Sequence, residues 1–233
     1  SFSGSLSRIE NSLIDFRYRN FNPGHHISDR IVLVEIDENA LELLKNERQF
    51  GRWPWRRSSY PGIFEYIYSG GPKSVIFDIL FAERTDDDRA LIELNKRYSD
   101  FPLSYSIQLR NEGISQPVPL PAYMREKTLA AKIDPGAAIA AFDSMSYPPE
   151  RIAKTASQFH SVTFTDDEDG ISRHASMLFQ YGGSVYPALS LRAFLKSNYQ
   201  VEGFLRKKAI SGGKRESCFV LAALKVEWHA SHL

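Results

Sequence analysis

The apolar positions at the start of the chain fall at Leu6, Ile9, Leu13 and Phe16, a three-and-four spacing that predicts an amphipathic helix, and NFNPGHH breaks it. After Asp29 the run IVLVEI, dense in β-branched residues, predicts a short strand buried on both faces, and DENALELLKN turns to helical spacing. SSYPGIFEYIYSGGP predicts a helix, with serines for an N-cap, a proline in the first turn, Ile63, Phe64 and Ile67 on one face, and a Gly-Gly-Pro stop. SVIFDILF reads as a second buried strand. Two such strands joined by a helical crossover lie parallel, which places their ends, Asp37 and Asp78, at the same edge of a sheet.

Further along, TDDDRALIELNKRY predicts a helix whose first turn carries aspartates suited to the positive end of its dipole, and FPLSYSIQL predicts a third strand. The stretch from Glu112 to Pro135, with Pro117, Pro119 and Pro121 alternating, has little regular signal and is expected to cover the surface or an edge. GAAIAAF reads as a strand of small residues, PPERIAKTASQ as a helix opened by prolines, and FHSVTFT as an alternating strand. DDEDG then predicts the turn of a hairpin into ISRHASMLFQY, and YPALSLRAFLKSNY a closing helix carrying Leu189, Leu191, Phe194 and Leu195. After Gly203 the character changes to a basic knot, a Gly-Gly break and the short apolar run CFVLAAL. The fold class expected is α/β: a mixed, partly parallel central sheet flanked by helices, with a long N-terminal helix and a C-terminal β-hairpin. Residues 1–203 read as one domain, with 204–233 a segment of separate character.

Composition narrows the function. In 233 residues, 42% hydrophobic and 12% aromatic content supplies a substantial core, while 29 basic against 28 acidic residues leave a formal charge of +1. Without a collective positive field, a nucleic-acid partner is not expected. Cys218 is the single cysteine, which rules out an internal disulfide or a thiolate zinc cluster. No window approaches the roughly 18–20 apolar residues of a membrane span, and SFSGSLSRIENSL lacks the apolar stretch of a secretory signal, so the chain as given reads as soluble.

Candidate chemistry centres on acids and indoles. Asp37 and Asp78, at carboxyl ends of parallel strands, sit where open α/β sheets place ligands, and with Asp86, Asp87 and Asp88 they form an oxygen set suited to Mg²⁺ or Ca²⁺. A metal-dependent hydrolase using these five residues is one alternative; the other is that Asp37 and the Asp86–Asp88 run cap the helices that follow them. DDEDG lacks the twelfth-position glutamate of a calcium loop and suits a hairpin turn. There is no HExxH, GxSxG, GxxxxGK[ST] or GxGxxG, so enzymatic activity and a cofactor are not expected. GRWPWRR, residues 51–57, holds two of the three tryptophans. It reads as an aromatic wall with a cationic clamp for a small anionic or ring-shaped ligand, as indoles packed over a sheet edge with arginines paired to Asp37 or Asp78, or as a membrane-interface anchor. Architecture is its main expected role, with Trp55 and Arg56 facing a pocket.

In order along the chain, SLIDFRYRNF, DRIVLVEIDENALELL, GRWPWRR, GPKSVIFDILFAERTDDDRALIEL and FTDDEDGISRHASML together resemble the second CHASE class of sensory domains, over residues 10–195. The resemblance implies an extracytoplasmic input module of a bacterial transmembrane receptor, preceded by one membrane helix and followed by others and by a cytoplasmic cyclase or kinase. Its partners are then an unidentified small molecule, ion or cell-envelope ligand and its own membrane helices and output domain; a separate alternative is a domain that binds nothing small and serves as a platform for a homodimer. The motif positions are Asp37, Trp53, Pro54, Trp55, Arg56, Asp78 and Phe81, with Asp167, Asp169, Gly170 and Arg173 of the hairpin; of these Asp37, Trp53, Trp55, Arg56, Asp78, Phe81, Asp167, Asp169 and Arg173 are the ligand-binding candidates. This chain departs from the pattern in a short region between Asp100 and Pro148 and in the residues after Gly203. A shift of the N-terminal helix is the expected route for a signal into the membrane helix.

Overall fold

The computed structural model describes residues 2–21, 31–100, 103–129, 139–164, 170, 171, 173 and 175–197. They group into two compact units, one built on residues up to 37 together with those of 166–175, the other on 38–165 and 176–219.

In the first unit, helix α1 (Phe2–Asn20) realises the N-terminal spacing. Arg17 and Arg19 occupy its last turn, where cations complement the dipole, and Asn20 Nδ2 donates to the Phe16 carbonyl at 2.8 Å. The unit is tied by Arg173, whose Nε and Nη2 donate to the two oxygens of Asp15 at 2.8 and 3.1 Å, a bidentate fork in which Arg173 is almost wholly buried. The expected strand at IVLVEI is absent: residues 31–37 carry no ladder, and Ile31, Val32, Leu33 and Val34 are all exposed. β-branched composition favours a strand only where neighbouring strands and a covering layer complete it, and neither meets this segment among the described residues.

The second unit opens with α2 (Glu38–Leu44), a 3₁₀ turn at Arg57–Ser59 and α3 (Tyr60–Ser69). The SVIFDILF segment forms a ladder only at β1 (Val75–Ile76), after which Phe77 N still donates to Ser104 O at 2.9 Å before the chain leaves the sheet. Helix α4 (Asp88–Arg97) then leads into β2 (Leu103–Arg110). The parallel β-α-β unit is therefore β1-α4-β2, one step downstream of the expected pair. Among the described residues of the Pro-rich region the element is the short α5 (Ala122–Arg125), followed by β3 (Ala140–Phe142), β4 (Ser144–Ser146), α6 (Glu150–Thr155), β5 (Gln158–Ser161), β6 (Leu178–Tyr181), β7 (Ser184–Pro187) and α7 (Leu189–Ser197).

Strand β2 organises the first sheet, pairing in parallel with β1 and β5 and antiparallel with β4. A second sheet runs β3-β6-β7, and a bridge between Ser161 and Ala188 joins the two. Both faces of β2 are buried along Leu103–Ile107. One face projects Leu103, Tyr105, Ile107 and Leu109; an aromatic cluster of Tyr60, Phe64, Phe77, Phe81 and Tyr105, with ring centroids 4.4–6.1 Å apart, fills this region. The mixed sheet, the flanking helices and the long N-terminal helix agree with the fold class read from sequence. The C-terminal hairpin is present at another place: β5 and β6 lie in different sheets, and the hairpin is β6-β7, turned by Gly182 and Gly183. Both glycines have positive φ (54° and 77°), as a two-residue turn of matching twist requires. The DDEDG turn at Asp166–Asp169 and the segment 204–233 lie outside the described residues.

Candidate functional site

In the second unit GRWPWRR divides its indoles and its arginines between core and surface. Trp55 is buried, its ring edge-on to Phe50 at 4.8 Å and to Trp53 at 5.8 Å. Trp53, joined to Pro54 by a cis peptide, is 46% exposed. The outward indole is thus Trp53, and Trp55, expected to face a pocket, serves the core; its Nε1 meets no acceptor among the described residues.

The two arginines divide the same way. Arg57 is buried, forms an ion pair with Asp88, donates to the Glu83 carbonyl, and sets its guanidinium carbon 5.4 Å from the centre of the Phe81 ring. Arg56, one residue earlier, is exposed, and its side chain makes no hydrogen bond or ion pair among the described residues. The expected pairing of these arginines with Asp37 or Asp78 is replaced by Arg57–Asp88. The reason is local: the 3₁₀ turn at Arg57 packs against the start of α4, so the nearest acids are those of TDDDR.

Those acids do not cap α4 with their side chains. Asp87 Oδ2 accepts from Ser58 N at 3.0 Å and Ser58 Oγ at 3.2 Å, and Asp87 Oδ1 accepts from Thr85 Oγ1 at 2.8 Å. Desolvation pushes the Asp87 carboxyl up, but these hydrogen bonds outweigh it and hold the group below the usual carboxylate range. Asp88 Oδ1 accepts from Thr85 N at 3.2 Å and Thr85 Oγ1 at 2.9 Å besides Arg57. Two acids of the trio are therefore committed to holding the loop, and only Asp86 is exposed without such bonds. Arg56, Ser58, Asp86 and Asp87 line an open cleft of about 410 Å³. It presents a guanidinium and carboxylates to the same space.

The other candidates fall elsewhere. Phe81 is buried beneath Arg57 and supports the loop from inside. Asp78 is exposed, yet neighbouring protein desolvates its carboxyl enough to raise it above the ordinary value. Asp37, in the other unit, is exposed at the end of residues 31–37, and Arg173 is spent on Asp15. Asp167 and Asp169 lie outside the described residues. Among the described residues no group of three His, Cys, Asp or Glu side chains is set to hold a metal ion, and Asp87 and Asp88, wanted as ligands by the hydrolase alternative, are bound to Ser58, Thr85 and Arg57.

Sequence reasoning missed two polar arrangements. On the second face of β2, the fully buried His160 of β5 lies between two serines, Nδ1 2.9 Å from Ser104 Oγ and Nε2 3.2 Å from Ser106 Oγ. Ser106 Oγ gives its proton to the Phe77 carbonyl at 2.5 Å, so it can only accept from the ring, and the histidine is the neutral Nε2–H tautomer. Burial, reinforced by the nearby charge of the buried Arg192, lowers its pKa to about 3, against a weaker upward pull from the Phe77 carbonyl. The signal was in FPLSYSIQL itself: the alternate positions are serines, small enough to lie under a second layer.

The other is Asp143, whose oxygens accept from the amides of Glu112, Gly113 and Ile114 at 2.7–2.9 Å. The Glu112 bond, with those of Ile114 and Gly113, overcomes a small desolvation and lowers the carboxyl's pKa. This carboxylate pins the start of the Pro-rich loop beside a groove of about 250 Å³ lined by Val118, Leu120, Met145, Tyr147 and Tyr181.

No helix among the described residues is long and apolar enough to cross a membrane. No curated protein and no solved structure matches the chain. A family model described as the CHASE2 domain matches residues 1–228, beyond both ends of the 10–195 resemblance read from sequence and into the residues after Gly203. With the match spanning nearly all of its residues, the chain belongs to the CHASE2 family of extracellular sensory domains of signalling receptors.

Proposed function

We propose that this chain is the extracytoplasmic input domain of a bacterial transmembrane receptor with a cytoplasmic cyclase or kinase output, and that the Arg56 cleft receives its ligand. The observation that carries the reading is the division of labour between adjacent arginines. Arg57 is locked with Asp88, whereas Arg56 stands exposed and unpaired at a cleft that also presents Asp86 and Asp87. An unpaired guanidinium in a fixed loop suits a carboxylate or phosphate oxygen pair, and the acids across the cleft suit an ammonium. The ligand class that satisfies both is a small zwitterion, such as a free amino acid or a betaine.

Calorimetry and thermal shift on the purified chain, with a panel of free amino acids and glycine betaine beside simple carboxylates and amines, test this. At least one zwitterion is expected to bind and raise the melting temperature where singly charged compounds do not, and Arg56→Gln is expected to weaken it tenfold or more while leaving the unliganded melting temperature in place. Binding unchanged by Arg56→Gln, or no zwitterion binding, contradicts the reading.

A further inference from the structure

We infer that the exposed face of α1 is the seam of a parallel two-helix coiled coil with a second copy of this chain. Phe2, Leu6, Ile9, Leu13, Phe16 and Asn20 follow one another at alternating spacings of four and three, the a and d positions of an unbroken heptad pattern along the whole helix. The flanking e and g positions, Ser3, Ser5, Glu10, Ser12, Arg17 and Arg19, are all polar. A helix that docks on a globular core shows a wider stripe including e or g, whereas a strict a/d stripe is the width of a coiled-coil seam.

The structure adds which side of the helix is held. Asp15 carries the bidentate bond from Arg173, and Asn11, Ile14 and Asp15 are the partly covered positions. At 100° per residue these lie opposite the stripe. The apolar face is the open one: Ile9 is 59%, Leu13 59% and Phe16 55% exposed. The first unit thus grips α1 by its polar side and turns the seam outward.

Two features commit the occupant to a second copy in parallel. In a parallel pair Asn20 meets its own counterpart at an a position, the arrangement that fixes register; an antiparallel pair would set it against Phe2 and leave a polar amide facing an aromatic ring. That antiparallel register also brings Glu10 near its own counterpart and offers no opposite-charge pair. The apolar seam positions Ile9, Leu13 and Phe16, each covering on the order of 100 Å² of apolar surface, give about 600 Å² for the pair, the range of a weak, transient interface. Association of the free chain is therefore weak, and tethering two copies to one membrane raises it.

Disulfide trapping tests this in the full 233-residue chain carrying Cys218→Ser. Ile9→Cys, Leu13→Cys and Phe16→Cys, each alone and at about 0.1–1 mM chain, are expected to give covalent dimers at least tenfold faster than Asn11→Cys or Tyr18→Cys on other faces. Same-residue linkage at both 9 and 16 distinguishes parallel from antiparallel pairing. Sedimentation of Leu13→Glu is expected to show loss of the dimer, with a melting temperature unchanged at a dilution where the wild type is monomeric, because Leu13 is exposed in the single chain. Three results would overturn the inference: equal rates at seam and control positions, a melting temperature lowered by Leu13→Glu at that dilution, which means the chain itself covers the seam, or Leu13-dependent flotation with phosphatidylglycerol vesicles without any dimer.

Discussion

Arg57→Ala is expected to destabilise the chain by about 3–5 kcal/mol, the range for removing one partner of a buried ion pair. Both side chains are about 5% exposed, so solvent cannot take over the charge that Arg57 leaves behind on Asp88. The substitution also removes the donor to the Glu83 carbonyl and the cation above Phe81. Against a typical stability of 5–15 kcal/mol, such a loss leaves a sizeable unfolded fraction in ordinary buffer. Removing both charges, as in Arg57→Met with Asp88→Leu, is expected to cost less than Arg57→Ala alone, because no buried charge remains unpaired. Urea unfolding of the wild type and the two variants measures this. A loss below about 1 kcal/mol for Arg57→Ala would show that the pair behaves as a surface contact.

The second large effect is with pH. His160 is held neutral in the native chain, with a pKa near 3, whereas an unfolded chain protonates it near its ordinary 6.5. Between those values the unfolded state binds the extra proton, so native stability is fully present above pH 6.5 and falls as pH drops towards 3. At pH 5 the loss is about 2 kcal/mol relative to neutral pH, at 1.36 kcal/mol per pH unit. Only Arg192, among the charged groups that perturb the ring, adds to burial, and its positive charge works in the same direction. Denaturant midpoints between pH 7.5 and 5 are expected to drop in the wild type and to flatten in His160→Asn, which carries no titrating ring. Equal slopes in both proteins would place the acid sensitivity elsewhere.

Much of the fold was legible because local rules and tertiary context agreed. The three-and-four spacing of α1 and α4, the proline-opened α6 and the buried run of β2 all formed as their residues dictate. The misses share one cause, a local pattern whose partner lay far away in sequence. IVLVEI has strand composition, but composition does not supply a ladder partner. SVTFT and SMLFQY both suit strands around a turn cluster, yet β5 pairs in parallel with β2 and leaves β6 to β7, a choice of long-range register that alternation alone does not encode. At the site, the acids of TDDD looked like helix caps because capping is the nearest use for them; Ser58 and Arg57, about thirty residues earlier, compete successfully for the same oxygens. Which of two adjacent arginines would be buried was equally closed to sequence reading, since it depends on the turn at Arg57–Ser59 pointing one side chain inward.

That division between neighbouring arginines is the claim on which the ligand cleft rests, and arginine-selective labelling with phenylglyoxal, read by peptide mass spectrometry, tests it most directly. In the native chain Arg56 is expected to react at the rate of a free side chain, with Arg57 protected at least tenfold until denaturant is added. Equal labelling of Arg56 and Arg57 in the native chain, or protection of Arg56 instead, would contradict the account.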